Sequence, residues 1–143
     1  MKNQGKNFEV DNMTGRNHEG PTANAPVRRL TATTIIGDKV ENLEGEDLGK
    51  IDNLMINIQS GEIEYVVLEF GSFLGLGGKL FAIPFRQFYL NAENHSFILN
   101  RDKDSFKNMP GFDKDHWPAT NDHSYYQDVD TYWGATVDSG RVF

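Results

Sequence analysis

The sequence predicts an all-β fold, a barrel or sandwich of short strands, and three observations carry that prediction. Between residues 30 and 100, apolar and β-branched runs of four to nine residues alternate with turn-forming Gly, Asn, Asp and Ser, and no long 3.6-residue periodicity interrupts them. The run IEYVVLEF, Ile63 to Phe70, is β-branched or aromatic at most positions, the composition of a strand covered on both faces. The 143-residue chain has no cysteine, so its stability rests on packing rather than on disulfides or thiolate metal sites.

The elements follow in order. Residues 1 to 29 are rich in Asn, Gly, Thr and Pro with isolated hydrophobics, and are expected to form a flexible tail. The composition changes at Leu30, Ile35 and Ile36, where folding is expected to begin. Lys39 to Leu43 is a short strand candidate, followed by the polar turn ENLEGEDLG, in which Gly45 can take a left-handed conformation. In the next strand, Lys50 to Ile58, Leu54, Ile56 and Ile58 alternate with Met55 and Asn57 while Ile51 is out of phase. That break predicts a bulge near Asp52 and Asn53. QSGE turns the chain into Ile63 to Phe70, the expected core strand. Lys79 to Pro84, Phe88 to Asn91 and His95 to Asn100 complete the set, with Pro84 restricted to a strand end or an edge because it has no N–H to donate. RDKDSFKNM then offers Asp102 or Asp104 as an N-cap and places Phe106 and Met109 three apart. It reads as one short helix stopping at Pro110 and Gly111, positioned to lid the barrel.

Composition narrows the function classes. The net charge is −7, and residues 31 to 110 carry 7 basic against 12 acidic side chains. Beyond the pair Arg28 and Arg29 there is no basic stripe of the kind phosphate neutralisation needs, so no nucleic-acid partner is expected. No apolar run approaches the ~18 residues of a spanning helix. No secretory signal is recognisable either, so the expectation is a cytoplasmic protein without membrane insertion.

The glycine-rich stretch GSFLGLGGKLF at 71 to 81 resembles a phosphate cradle and fails the test. Phe73 stands five before Gly78 where a Walker loop needs Gly, and Leu80 follows Lys79 where it needs Ser or Thr. Strand-like LFAIPF follows instead of a helix. A dinucleotide fingerprint starting at Gly75 and Gly77 would need Gly or Ala at 80. The loop therefore reads as structural, with Phe73, Leu74 and Leu76 either folded back on the barrel or offered to a second copy or a partner.

Other constellations read the same way. His116 beside Asp113 and Asp115, and His123 beside Asp122, match no metal-ligand spacing, and a solvated acidic segment is expected rather than a metal site. The acidic residues Glu44, Glu46, Asp47, Asp52, Glu62, Glu64 and Glu69 fall in turns or on polar strand faces, with Glu64 and Glu69 flanking the core strand. None stands beside a nucleophile in sequence, so no catalytic residue and no cofactor is expected. From Asp122 to Phe143 the chain is acidic yet holds Tyr125, Tyr126, Tyr132 and Trp133, too many aromatics for a disordered tail. This segment, within an arm expected over 119 to 143, reads as packed on its own barrel or docked on another subunit.

The run from Leu30 to Phe85, together with MPGFDKDHWP, resembles the PRC-barrel family, which includes the cytoplasmic barrel of the photosynthetic reaction-centre H subunit, the C-terminal domain of a ribosome small-subunit maturation factor and small stand-alone bacterial proteins. The specific parts are GEDLGKI, the GxIxYVVLxF strand and FLGLGGKLFAIP, and the resemblance covers residues 30 to 118. It implies a small, partly open β-barrel of five or six strands that serves as a non-enzymatic protein-contact module. Relatives often carry GDKL where this chain has Gly78 before Lys79, so an anionic contact there is not carried over. Neither the transmembrane segment of the first relative nor the separate N-terminal domain of the second is recognisable in these residues, so neither of those roles is expected here. The expectation is a self-associating module with an unidentified protein partner. The alternatives are a peripheral component of a membrane or photosynthetic assembly, and a small-ligand binder or enzyme with a pocket in the barrel.

Overall fold

The computed structural model describes residues 29–71, 78–91 and 96–134. The expected N-terminal tail up to residue 28, the loop bearing Phe73, Leu74 and Leu76, His95 and the last nine residues lie outside the described residues. The described part is a seven-stranded mixed sheet that does not close, with one helix of three turns near the C-terminus. A short helix α1, Ala32–Ile35, precedes strand β1, Lys39–Glu41. Then come β2, Asp47–Asn57, β3, Glu62–Phe70, β4, Lys79–Pro84, β5, Phe88–Asn91, β6, Ser96–Leu99, and β7, Phe112–Asp113. The C-terminal helix α2 spans His123–Gly134. The strand order is β5-β6-β1-β2-β3-β4-β7, with β1 and β6 parallel and the other neighbours antiparallel.

The longest strand carries the irregularity its sequence announces. The pairing of β2 with β3 shifts between Ile51 and Asn53, leaving Asp52 as the extra residue. One extra residue reverses the alternation, so Ile51 and Leu54 both reach the core although they are three apart. A second shift lies between Met55 and Ile56. Beyond it the apolar stripe leaves the core, and Ile56 and Ile58 are 53% and 94% exposed.

Opposed residues of antiparallel neighbours share a face, and successive residues alternate between faces. Val66, Leu68 and Phe70 of β3 thus lie on one face with Ile83 and Phe81 of β4 and with Leu54 and Ile51 of β2. Tyr65 and Val67 lie on the other with Pro84, Ala82 and Met55. Tyr65 to Leu68 and Phe70 are all buried, so β3 is covered on both sides as its composition predicts.

The inner face is closed at one end by a 3-10 turn, Lys103–Lys107, capped by Asp102, whose Oδ1 accepts from Ser105 N–H. The sequence predicts a short helix here, and it is of the 3-10 kind. The turn tightens because Pro110 and Gly111 stop it after five residues, too few for a regular α-helix to repay its nucleation. Its task is as expected, for Phe106 is 1% exposed and stacks on Phe70 at 4.3 Å while meeting Phe81 edge-on at 5.2 Å. Strand β7 was not foreseen, being two residues long. It fits against β4 because residue 111 is glycine, and a Cβ there would stand 2.7 Å from the Phe81 ring.

Gly49 is the described glycine whose backbone stands closest to a neighbouring strand. It adopts φ +136°, and a Cβ would overlap the Glu69 carbonyl oxygen on β3. Gly49→Ala therefore has to part β2 from β3, and urea unfolding is expected to show a loss of about 2 kcal/mol or more. A loss below half that amount would mean that the strands separate there at little cost.

Candidate interaction surfaces

Helix α2 begins where Asp122 Oδ1 accepts from Tyr125 N–H at 3.0 Å, an N-cap bond. Few residues in HSYYQDVDTYWG favour a helix intrinsically, since β-branched, aromatic and Asp residues predominate. The helix is held by what it covers. Tyr125, Val129 and Trp133 recur at four-residue intervals and form one stripe, with Val129 and Trp133 fully buried. Tyr126 and Asp130 form the adjacent row over Tyr65. The Tyr126 ring stacks on Tyr65 at 5.2 Å, and the Tyr65 hydroxyl donates to Asp130 Oδ1 at 2.8 Å.

This placement covers a free strand edge. β7 pairs with β4 only at Lys79 and Leu80, so the Ala82 N–H lies beyond its reach. That N–H donates to the Tyr125 hydroxyl at 3.3 Å. The same ring meets Phe112 edge-on at 5.5 Å. At the other end of α2, the Arg101 guanidinium lies 4.7 Å from the centre of the Trp133 ring, two residues past the end of β6. The helix thus reaches from the β4 edge to the end of β6, across the gap the open sheet leaves.

Burial determines the acid–base character of the tyrosines. Desolvation raises the Tyr125 hydroxyl to about 12, partly offset by the Ala82 N–H bond. Tyr65 is raised further, first by burial and then by its bond to Asp130. Both are neutral hydrogen-bonding groups at physiological pH.

Of the contact residues expected from the sequence, the structure brings Tyr125, Tyr126, Tyr132 and Trp133 together on α2. Tyr132 meets Trp133 edge-on at 5.2 Å and is half-buried, as are Tyr125 and Tyr126. All four pack against the chain's own core. The spacing 125, 129, 133 is the signal that could have identified this helix. Phe73, Leu74 and Leu76 lie outside the described residues, but both stems of their loop are fastened. Lys114 N–H donates to Gly78 O at 3.1 Å, and Lys114 Nζ lies 2.7 Å from Glu69 Oε2. The bond to Glu69 and its negative charge raise Lys114 above the usual lysine range.

Two grooves are lined by polar groups, several of which are engaged within the fold. A groove of about 400 Å³ at the end of the sheet is lined by Lys39, Asp47, Lys50 and Glu69 among four glycines. Asp47 there accepts from Gly49 N–H at 2.9 Å and Glu69 pairs with Lys114, so both carboxylates are engaged. A second shallow groove, of about 420 Å³, runs along α2 past His123, Gln127 and Asp130. Among the described residues no three His, Asp or Glu side chains gather as a metal site would require, and His116 and His123 stand in no such group. Asn42, 2% exposed, holds the β1–β2 turn by accepting from the N–H groups of Glu44 and Glu46. No helix among the described residues is long and apolar enough to cross a membrane.

A family model described as the PRC-barrel domain matches residues 28–106, more than half of the chain. A search of curated proteins gives no match.

Trp133→Ala should cost about 3–5 kcal/mol in chemical denaturation, because a fully buried indole is removed. A cost under 1 kcal/mol would mean that α2 contributes little to the fold. Tyr125 also predicts a pH dependence. Its folded value lies above the unfolded value of ~10, so its contribution is complete below pH ~10 and is lost as pH rises towards about 12. Tyr125→Phe should flatten that alkaline decline, and an unchanged decline would assign it to other groups.

Proposed function

This chain belongs to the PRC-barrel domain family, and we propose that it works as a non-enzymatic protein-contact module that associates with a second copy of itself and presents the assembly to a further protein. The observation that carries this reading is the open sheet. Seven strands end in rims at β5 and β7 instead of closing on each other. Closure is what removes strand edges, and an open sheet needs each edge covered, twisted away or paired. α2 covers the edge at Ala82, while other exposed apolar surface at Leu43, Ile56 and Ile58 has no such cover among the described residues. The carboxylates lining the two grooves act as hydrogen-bond acceptors and ion-pair partners within the fold, which supports binding rather than reaction chemistry.

Sedimentation velocity over a concentration series tests the proposal. The expected species has twice the 16.2 kDa mass of the chain, and a 16.2 kDa species alone at the highest concentration would contradict it.

A further inference from the structure

The outer edge of β2 is paired along its first half only. β1 pairs with it from Asp47 to Lys50, and Gly37 N–H and Asp38 O bond the carbonyl and amide of Ile51 at 2.7 and 2.9 Å. Past Asp52 the strand continues to Asn57 with β3 on one side, and among the described residues no strand pairs with the other. One local device is present, a bond from Leu54 N–H to Asn53 Oδ1 at 2.9 Å.

The composition of this edge is unusual for one left open. Residues 53 to 58, NLMINI, contain no charge, no Pro and no Gly, in a chain of net charge −7. Open edges are ordinarily guarded by Lys, Pro or inward charges. Here the stripe that begins at buried Ile51 and half-buried Leu54 runs outward through Ile56, and Ile58, in the turn just past the strand, is exposed as well.

Resting on the self-association proposed above, we infer that the free edge of β2 is where two copies meet, pairing antiparallel to form one continuous sheet across the dimer. A two-fold contact sets a stretch against itself, so the stretch has to be self-complementary. In a register centred on Met55, Leu54 of one copy stands opposite Ile56 of the other and Asn53 opposite Asn57. Apolar meets apolar, and amide meets amide. Mutual repulsion opposes association of two chains of charge −7, and this is a stretch with no charged side chain to place against its copy. A strongly charged peptide would find no counter-charge along the same edge.

The test compares the parent with the double variant Ile56→Asp, Ile58→Asp and with the control Leu43→Asp, which alters an apolar residue of similar exposure to Ile56 in the turn between β1 and β2. Exposed positions tolerate a charged side chain, so all three should keep the same circular-dichroism spectrum, and the double variant should melt lower only as far as loss of the dimer requires. Sedimentation velocity should give a dimeric parent and control, with dimerisation of the double variant weakened by about 100-fold, because Ile56→Asp sets a carboxylate against the apolar Leu54 of the other copy and Ile58→Asp adds one beside its Asp52. A double variant as dimeric as the parent overturns the β2 edge while leaving self-association standing. A monomeric parent overturns both. The register has its own readout, because the chain is free of cysteine and any disulfide is one that is introduced. Met55→Cys should form a reducible covalent dimer on mild oxidation, since a central antiparallel pair brings its Cα atoms within disulfide reach. A wholly monomeric oxidised product would refute the register.

Discussion

The fold depends on covering the edge of β4. Strand β3 is buried on both faces, and burial of its outer face requires a second layer over Tyr65, Val67 and Ala82. That layer is α2, and its position is fixed where the Tyr125 hydroxyl takes the Ala82 N–H that no strand reaches. An unpaired backbone amide in such a site would cost about 1–3 kcal/mol. A single tyrosine therefore satisfies the amide, packs on Phe112 and aligns the stripe that buries Val129 and Trp133.

The other contacts elaborate this arrangement. Phe106 fills the inner face against Phe70 and Phe81, so the sheet is packed from within by a 3-10 turn and from without by a helix. Lys114 ties Gly78 to Glu69, joining the two strands that flank the glycine loop. The bulge at Asp52 lets both Ile51 and Leu54 serve the core, and beyond the second shift, between Met55 and Ile56, the strand's apolar stripe projects. Stability and the proposed association thus draw on different parts of one strand.

Much of this is legible in the sequence where the signal is local. The phase break at Ile51 gives the bulge, IEYVVLEF gives the doubly covered strand, and Pro84 ends β4 as its missing N–H requires. Asp102 is readable as a cap. What fails to show is set by partners distant in sequence. The α2 segment has the composition of an arm and becomes a helix because Tyr65, Ala82 and Phe112 lie beneath it. Strand β7 has two residues, too few for any period, and exists because β4 offers it an edge and Gly111 leaves room. The turn at Lys103 is helical in pattern and 3-10 in fact because the chain is stopped too soon. The role of Lys114 at the base of the glycine loop needs three dimensions, because Gly78 and Glu69 meet it only in the fold.

Native-state hydrogen exchange at the Ala82 amide measures the edge contact directly. A covered edge predicts that this amide exchanges only through large-scale opening, as slowly as its neighbours in β4, and that Tyr125→Phe speeds its exchange while leaving Val66 and Leu68 unchanged. Exchange at Ala82 as fast as that of a solvent-exposed amide in the unaltered protein would contradict the account.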